Sequence, residues 1–230
     1  MLEEFTVNNK KIKIYGDISK KELPVIFLNT YMDNGEEVFH NCLKLSCKDF
    51  ILVVISNLDW NNDMTPWYAP KLSKKDVDCL GKADDYIAVL TKAIIPKVEE
   101  YLTKKEIKIK YYAIAGYSLA GLFAVYVTYK TNLFTRVISG SGSFWYPKFV
   151  EFVKDHRVNQ KITKMYFSLG NRESKVSNAV LKKVLDNTKE LERFYHDKGI
   201  ETLYEENPGN HFQDPAFRMA KGIKWTLDGE

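Results

Sequence analysis

The feature that most constrains the fold is a serine in a glycine-containing turn between an apolar strand and a helix. The segment reads Tyr-Ala-Ile-Ala-Gly-Tyr-Ser-Leu-Ala-Gly-Leu-Phe over residues 112–123. Its first part has the continuous apolar character of a buried strand, and the part after Ser118 predicts an amphipathic helix. Gly116, Ala120 and Gly121 are small, as a strained and closely packed turn requires. This pattern predicts a nucleophile elbow, which presents the serine hydroxyl at the carboxyl edge of a parallel sheet.

Apolar runs alternate with helical patterns on both sides of this elbow. Two runs around Asn8 and Asn9 predict an opening antiparallel hairpin. Further apolar runs predict strands at 25–28, 50–55, 136–139 and 165–169, and residues 202–205 are predicted as the last strand. Periodic segments predict helices at 36–45, 82–103 (bent at Pro96), 119–129, 176–195 and 215–226. The alternation predicts an α/β fold with a mostly parallel central sheet and helices on both faces.

The domain organisation follows from the length and from the lack of punctuation along the chain. At 230 residues, without repeats or linker-like segments, the sequence favours one domain over residues 1–230 and no separate cap domain. Residues 56–80 show no clear periodicity and predict a long loop near the active site.

Composition and charge exclude several classes of function. The net charge of +4 comes from scattered lysines without a dense basic block, so we expect no nucleic-acid partner. Residues 1–5 lack the features of a signal peptide and no apolar run reaches membrane-spanning length, so we expect a cytoplasmic protein without a membrane partner. Cys42, Cys47 and Cys79 lack a paired spacing, so we expect reduced thiols, no metal and no other cofactor. The oligomeric state stays open.

A serine nucleophile needs a histidine base and an acid that orients this base. In hydrolases of this α/β type the chain order is serine, acid, histidine. Of the four histidines, only His211 lies in a loop directly after the last predicted strand, which predicts it as the base. Glu173 follows the strand 165–169 through a turn at Gly170 and is predicted as the acid. The alternatives are that Glu173 stabilises the start of the next helix or pairs with Arg172, and that the acid is Asp186, Glu205, Glu206 or Asp214.

The oxyanion of a tetrahedral intermediate needs backbone N–H donors, and the substrate needs a pocket. One donor is predicted to be Leu119, and the other Tyr31 in the loop after the strand 25–28, with Thr30 as the alternative. Trp145 follows the strand 136–139 and is predicted as a pocket wall that stacks on an aromatic acyl group. The alternative for Trp145 is that it anchors an irregular loop to the core.

Four segments together resemble the esterase D and enterochelin-esterase family of α/β hydrolases. They are the elbow, Ser-Gly-Ser-Phe-Trp-Tyr at 141–146, Gly-Asn-Arg-Glu at 170–173, and Asn-Pro-Gly-Asn-His-Phe at 207–212. The resemblance runs from Val25 to the C-terminus and implies an α/β-hydrolase fold. It also implies a serine ester hydrolase with Ser118, Glu173 and His211 at the family's catalytic positions.

The family spans several substrates, and this chain departs from its pattern at two places. Members cleave siderophore lactones, S-formylglutathione or feruloyl esters, and some relatives transfer acyl groups. Ala120 replaces the second glycine of G-x-S-x-G, and the loop at 29–31 lacks the His-Gly of many hydrolases. Both departures concern the oxyanion hole.

The residues and the resemblance together predict a serine carboxylesterase that hydrolyses a small soluble ester through an acyl-enzyme intermediate. An acyltransferase or a peptidase on the same fold is an alternative, because only the acceptor or the scissile bond differs. A non-catalytic binding protein is a further alternative, but a pure scaffold has no need of serine, glutamate and histidine together.

Overall fold

A computed structural model describes residues 1–74 and 76–228. The strands are β1 (Glu3–Val7), β2 (Lys10–Gly16), β3 (Glu22–Asn29), β4 (Ile51–Ser56), β5 (Lys108–Tyr117), β6 (Phe134–Gly140), β7 (Lys164–Gly170) and β8 (Glu201–Asn207). They form an eight-stranded sheet in the order β1-β2-β4-β3-β5-β6-β7-β8. The pairs β1–β2 and β2–β4 are antiparallel, and all later pairs are parallel. The predicted mostly parallel sheet with an N-terminal antiparallel hairpin is confirmed.

The opening hairpin is closed by two asparagines in the left-handed region. Asn8 and Asn9 have φ angles of 47° and 63°. A two-residue turn with positive φ at both positions matches the right-handed twist of the strands that it joins. The pair Asn-Asn therefore fixes the register in which Val7 lies opposite Lys10.

Eight α-helices accompany the sheet in the described residues. They are α1 (Gly35–Lys44), α2 (Trp60–Asp63), α3 (Ala83–Val89), α4 (Ile95–Lys104), α5 (Leu119–Tyr126), α6 (Phe149–Asp155), α7 (Val184–His196) and α8 (Pro215–Leu227). In the part of the chain that the structure describes, no helix has both the length and the apolar character needed to cross a membrane.

The helices lie on both faces of the sheet because the buried strands alternate their side chains between two apolar clusters. Val25 and Phe27 of β3 belong to the cluster that α3 to α7 cover. Ile26 and Leu28 of the same strand belong to the cluster that α1 and α8 cover. Strands that are buried on both faces appear in a sequence as continuous apolar runs, which is the pattern that predicted them.

The predicted helix 82–103 is interrupted. Between α3 and α4, Leu90–Ile94 form a π-helical turn. Pro96 lies in the first turn of α4. In an unbroken α-helix, proline could not donate to the carbonyl four residues earlier, and its ring would clash with that carbonyl. The wider turn before Pro96 avoids this conflict, so the irregularity precedes the proline by one turn.

Two other helix predictions need correction. The predicted helix at 176–195 begins later, as a 3₁₀ turn at Leu181–Lys183 that leads into α7. Asn178 accepts hydrogen bonds from the backbone N–H groups of Val180 and Leu181, and such a side-chain cap marks a helix start. The elbow helix α5 is buried on all sides rather than amphipathic, because it packs between the sheet and the surrounding helices.

Residues 56–80, predicted as a long loop, contain short regular elements. The helix α2 lies within them, and an antiparallel bridge joins Ala69 to Cys79. Trp67 ties this segment to the chain after β6, because its indole N–H donates to the Pro147 carbonyl at 2.9 Å. The Tyr146 hydroxyl donates in turn to the Trp67 carbonyl.

Candidate active site

Ser118 occupies a sharp turn between β5 and α5. Its φ of 61° and ψ of −123° lie outside the regions that residues with a side chain usually adopt. The surrounding backbone holds this conformation: the Ser118 N–H donates to the Gly140 carbonyl at 3.0 Å, and the Ser118 carbonyl accepts from Ser143 at 3.1 Å. Strained backbone that its neighbours fix in this way is found most often at functional sites.

The small residues of the elbow are required by close contacts between the strand and the helix. A Cβ atom on Gly116 would lie 2.3 Å from the Ala120 carbonyl oxygen and 2.6 Å from the Ala120 methyl. A Cβ atom on Gly121 would lie 2.9 Å from both the Gly142 Cα and the Ser139 Oγ. Ala120 is accommodated at the second glycine position of the pattern because the facing residue, Gly116, has no side chain.

The carboxyl ends of three parallel strands bring Ser118, Glu173 and His211 together. Ser118 follows β5, Glu173 lies in the turn after β7, and His211 lies in the turn after β8. The His211 Nε2 is 3.0 Å from the Ser118 Oγ, and the His211 Nδ1 is 2.7 Å from the Glu173 Oε2. The sequence-predicted trio therefore forms one hydrogen-bonded chain, while the catalytic role of each member stays a prediction.

Glu173 is buried, and both oxygens of its carboxylate accept hydrogen bonds. Its Oε1 accepts from the Gly170 N–H at 2.6 Å, from the Ser141 hydroxyl at 2.7 Å and from the Arg218 guanidinium at 3.1 Å. Burial would raise the pKa of this carboxyl, but the hydrogen bond and charge of His211, with the bonds from Ser141 and Gly170, hold the pKa below its ordinary value. Glu173 is therefore ionised at neutral pH, as an acid that stabilises an imidazolium ion must be.

The structure also bears on the alternatives that the sequence left open for Glu173. The helix-start interpretation is wrong, because α7 begins only at Val184. The arginine that pairs with Glu173 is Arg218, not Arg172. Among the other candidate acids, Glu205 is engaged with Lys221 and with the Tyr166 hydroxyl. No such contact joins it to His211 among the described residues.

Sequence reasoning missed three side chains around this trio: Tyr117, Ser141 and Arg218. Arg218 lies in α8 and is 2% exposed. Burial raises the pKa of Tyr117 to about 12, so its phenol is neutral, and it donates to the His211 carbonyl at 2.8 Å. The sequence carries one signal for this network, because Arg218 interrupts the apolar stripe of the predicted helix 215–226.

The predicted oxyanion donors, Leu119 and Tyr31, belong to the first turn of α5 and to the loop after β3. Leu119 is the first residue of α5, where a backbone N–H has no acceptor within the helix. Asn29 pairs with Gly116 in the β3–β5 register, which places the loop after β3 next to the elbow. The Thr30 N–H donates to the Ile55 carbonyl at 2.9 Å, so this alternative donor is engaged. Tyr31 stays the predicted second donor.

Trp145 lies close in sequence to Ser143, whose hydroxyl is near that of the nucleophile, and it borders a groove. Ser143, two residues earlier, has its Oγ 3.4 Å from the Ser118 Oγ. Trp145 helps to line a groove of about 250 Å³ between α6 and α7, together with Val150 and Asn187. Its role as a pocket wall stays a prediction, because the lining of this groove contains none of the trio.

The other candidates for a functional site are a second groove and a metal site. A second groove, of about 370 Å³, lies at the opposite end of the sheet against Leu23, Pro24 and Lys110. Within residues 1–74 and 76–228, no three histidine, cysteine, aspartate or glutamate side chains are grouped so that they could hold a metal ion.

The chain is similar in sequence to a family of known proteins and to a curated bacterial protein. A family model described as "Putative esterase" matches residues 21–220. The uncharacterized protein YbbA of Bacillus subtilis (strain 168) is 24% identical over 209 residues, which cover 86% of this chain and 83% of YbbA.

Solved structures with the same fold include esterases and serine hydrolases. The siderophore hydrolase EstA from Aspergillus nidulans superimposes with a TM-score of 0.73 at 17% identity, over 94% of this chain and 89% of EstA. An IroE-like serine hydrolase from Shewanella oneidensis gives a TM-score of 0.75 at 16% identity, over 95% of this chain and 75% of that protein. The predicted α/β-hydrolase fold is confirmed. Because the family model spans residues 21–220 of the 230-residue chain, the protein belongs to this esterase family, as the resemblance of its motifs predicted.

Proposed function

We propose that the protein is a serine carboxylesterase that hydrolyses a small ester through an acyl-enzyme intermediate. The observation that carries the proposal is the imidazole of His211, which bridges the Ser118 Oγ at 3.0 Å and the Glu173 Oε2 at 2.7 Å. A nucleophile, a base and an orienting acid in this geometry can perform acyl transfer.

In the acylation step, the His211 Nε2 accepts the hydroxyl proton of Ser118 while the Oγ attacks the ester carbonyl carbon. The carbonyl π electrons move to the oxygen, and N–H groups at Leu119 and Tyr31 donate to this oxyanion. Glu173 stabilises the imidazolium that forms. When the intermediate collapses, the bond to the alkoxy oxygen breaks, and this oxygen takes the proton from His211 and leaves as an alcohol.

In the deacylation step, a water molecule replaces the alcohol. His211 accepts one proton of the water while the water oxygen attacks the acyl carbon. When the second tetrahedral intermediate collapses, the bond between the acyl carbon and the Ser118 Oγ breaks. The Oγ takes the proton from His211, and the carboxylic acid leaves. If an alcohol or amine of a second substrate replaces the water, the same steps transfer the acyl group, so the acceptor separates hydrolase from acyltransferase.

The substrate class is part of the proposal and has support from the relatives. EstA is named a siderophore hydrolase, and another structure of the same fold is an enterobactin hydrolase IroE in complex with DFP. The IroE chain is 20% identical and superimposes with a TM-score of 0.65. We therefore include siderophore, feruloyl and thioester substrates among those to be tested. Trp145 is the residue that we propose to contact an aryl acyl group.

The test combines covalent labelling with hydrolysis. A fluorophosphonate probe should label the wild-type protein at Ser118, and a panel of aryl, feruloyl, thioester and trilactone esters should identify the substrates. Ser118→Ala should lose both labelling and turnover, with a decrease in kcat of about 10⁴ or more. Ser19→Ala, an exposed serine before β3, is the matched control and should retain both. Labelling or turnover that survives in folded Ser118→Ala would refute the proposal, as would a wild-type protein that neither labels nor cleaves any ester.

A further inference from the structure

We propose that Arg218 is a positioning residue, which locks Glu173 and the loop of His211 into one arrangement and balances the charge of Glu173 while His211 is neutral. The proposal rests on the serine-esterase function proposed above. Arg218 lies on α8, after all three members of the trio in the chain. Its guanidinium donates to Glu173, to the hydroxyls of Tyr117 and Ser141, and to two backbone carbonyls of the His211 loop.

The guanidinium of Arg218 cross-links the acid to the histidine loop. Its Nη1 donates to the Glu173 Oε1 at 3.1 Å. Its Nη2 donates to the Pro208 carbonyl at 2.8 Å and to the Asn210 carbonyl at 3.0 Å. His211 directly follows Asn210, so one rigid and planar group sets the distance between Glu173 and the backbone that carries the imidazole.

Tyr117 adds a second connection from Arg218 to the histidine. The Arg218 Nη1 donates to the Tyr117 hydroxyl at 3.0 Å, and this hydroxyl donates to the His211 carbonyl at 2.8 Å. The Tyr117 and His211 rings also lie 5.3 Å apart between centroids. Three carbonyls of the loop, at 208, 210 and 211, are thus bound by a network centred on Arg218.

Charge gives Arg218 a role beyond geometry. The side chains of Arg218 and Glu173 are only 2% and 4% exposed, so each charge requires the other. Before catalysis His211 must be neutral to accept a proton, and at that stage Arg218 is the cation in contact with the carboxylate. If Arg218 is replaced by a neutral residue, the Glu173–His211 pair binds a proton more tightly. His211 is then protonated, and unable to act as a base, up to a higher pH than in the wild-type protein.

The other groups that face Glu173 do not supply this charge. Tyr117 and Tyr204 interact with the carboxylate, and burial raises the pKa of each phenol to about 12, so both are neutral in an assay near pH 7. Glu206, which acts on Tyr204, adds negative charge. The Ser141 hydroxyl and the Gly170 N–H donate hydrogen bonds without carrying a charge.

Two substitutions separate the positioning role from the charge. Arg218→Met removes both, so we expect kcat to fall by about 100-fold, as misplaced catalytic groups do, with KM changed less than about threefold. The acid limb of the pH–rate profile should move up by about one pH unit. Arg218→Lys keeps a cation beside Glu173 but cannot reach all the carbonyls with one nitrogen, so the acid limb should return to its wild-type position while kcat recovers only in part.

The matched control is Lys164→Met. Lys164 is also a buried cation that donates to a backbone carbonyl, that of Asp228 at 2.7 Å, but it lies at the start of β7, away from Glu173. This variant should lose stability while keeping the wild-type kcat and pH profile. A folded Arg218→Met with the kcat and acid limb of wild type would overturn the proposal, and so would a Lys164→Met that reproduces both changes.

Two further measurements keep the test decisive. If Arg218→Met does not fold, Tyr117→Phe and Arg218→Lys replace it: both should lower kcat without moving the acid limb, and wild-type kcat in both would overturn the proposal. The second measurement follows the imidazole of His211 by NMR against pH, assigned through His211→Gln. Its titration midpoint should rise in Arg218→Met even if no ester is found, so failure of the esterase function and failure of this proposal are distinguishable. An unchanged midpoint in folded Arg218→Met would refute the charge-balancing role.

Discussion

Replacing Glu173 by glutamine tests the site most directly, because it changes one atom and removes one charge. The amide oxygen of the glutamine can still accept from Gly170, Ser141 and Arg218, so the turn after β7 keeps its hydrogen bonds. Its amide NH₂ then faces the His211 Nδ1 over a distance that is 2.7 Å in the wild-type protein. Two N–H groups cannot hydrogen-bond, so His211 must carry its proton on Nε2 instead of Nδ1.

The size of the effect follows from this change of tautomer. The Nε2 of His211, which is 3.0 Å from the Ser118 Oγ, then donates to the hydroxyl and cannot accept its proton. Loss of the acid in an analogous trio lowers kcat by about 10⁴, which corresponds to about 5.5 kcal/mol of transition-state stabilisation. We expect a decrease of this order in kcat, with KM changed only slightly because no substrate contact is lost.

The assay measures kcat and KM on an aryl ester, with thermal unfolding to verify the fold. Glu205→Gln is the matched control, because Glu205 is a carboxylate at the end of the next strand that pairs with Lys221. It should keep kcat within about twofold of wild type, since substitutions away from such a site have small effects. A folded Glu173→Gln with kcat within about tenfold of wild type would show that Ser118 and His211 act without this acid.

Three further predictions concern stability. Ser118→Gly should be more stable than Ser118→Ala by about 1 kcal/mol in chemical unfolding, because φ of 61° strains every residue except glycine, and equal stability would contradict the strain. Gly116→Ala should lower the free energy of unfolding by about 3 kcal/mol or more, since its methyl would lie 2.3 Å from the Ala120 carbonyl oxygen; a loss below about 1 kcal/mol in the same assay would count against this contact. The lowered pKa of Glu173 contributes stability that is present above its ordinary value of 4.5 and lost as pH falls through the folded pKa. The stability difference between wild type and Glu173→Gln should therefore stay constant above about pH 5 and narrow in acid, whereas a gap that widens in acid would reverse the sign of this linkage.

The strands and the trio could be predicted from the sequence because both depend on local patterns. Strands buried on both faces appear as continuous apolar runs, and the carboxyl ends of parallel strands meet at one edge of the sheet. Ser118 and Glu173 follow such runs, and His211 follows the partly exposed edge strand β8. All three strands are parallel, so their carboxyl ends lie at the same edge of the sheet.

What could not be predicted depends on contacts between distant parts of the chain. Arg218 reaches Tyr117 and Glu173 from a helix near the C-terminus, and nothing in the residues beside it specifies these partners. The late start of α7 depends on the side chain of Asn178, which competes with the apolar periodicity before it. The π-helical turn at Leu90–Ile94 is a third case. Pro96 causes this turn, but the turn lies before the proline, at a position that the backbone geometry sets.

The antiparallel hairpin and the last strand also supply the two exposed edges of the sheet. β1 and β8 form the two edges of the sheet, and edge strands offer unpaired backbone groups to other chains. Both edges carry exposed glutamates, namely Glu3 and Glu4 on β1 and Glu201 and Glu206 on β8. Charged side chains on an edge strand disfavour pairing with a strand of another chain, so these glutamates oppose growth of the sheet from one copy into the next.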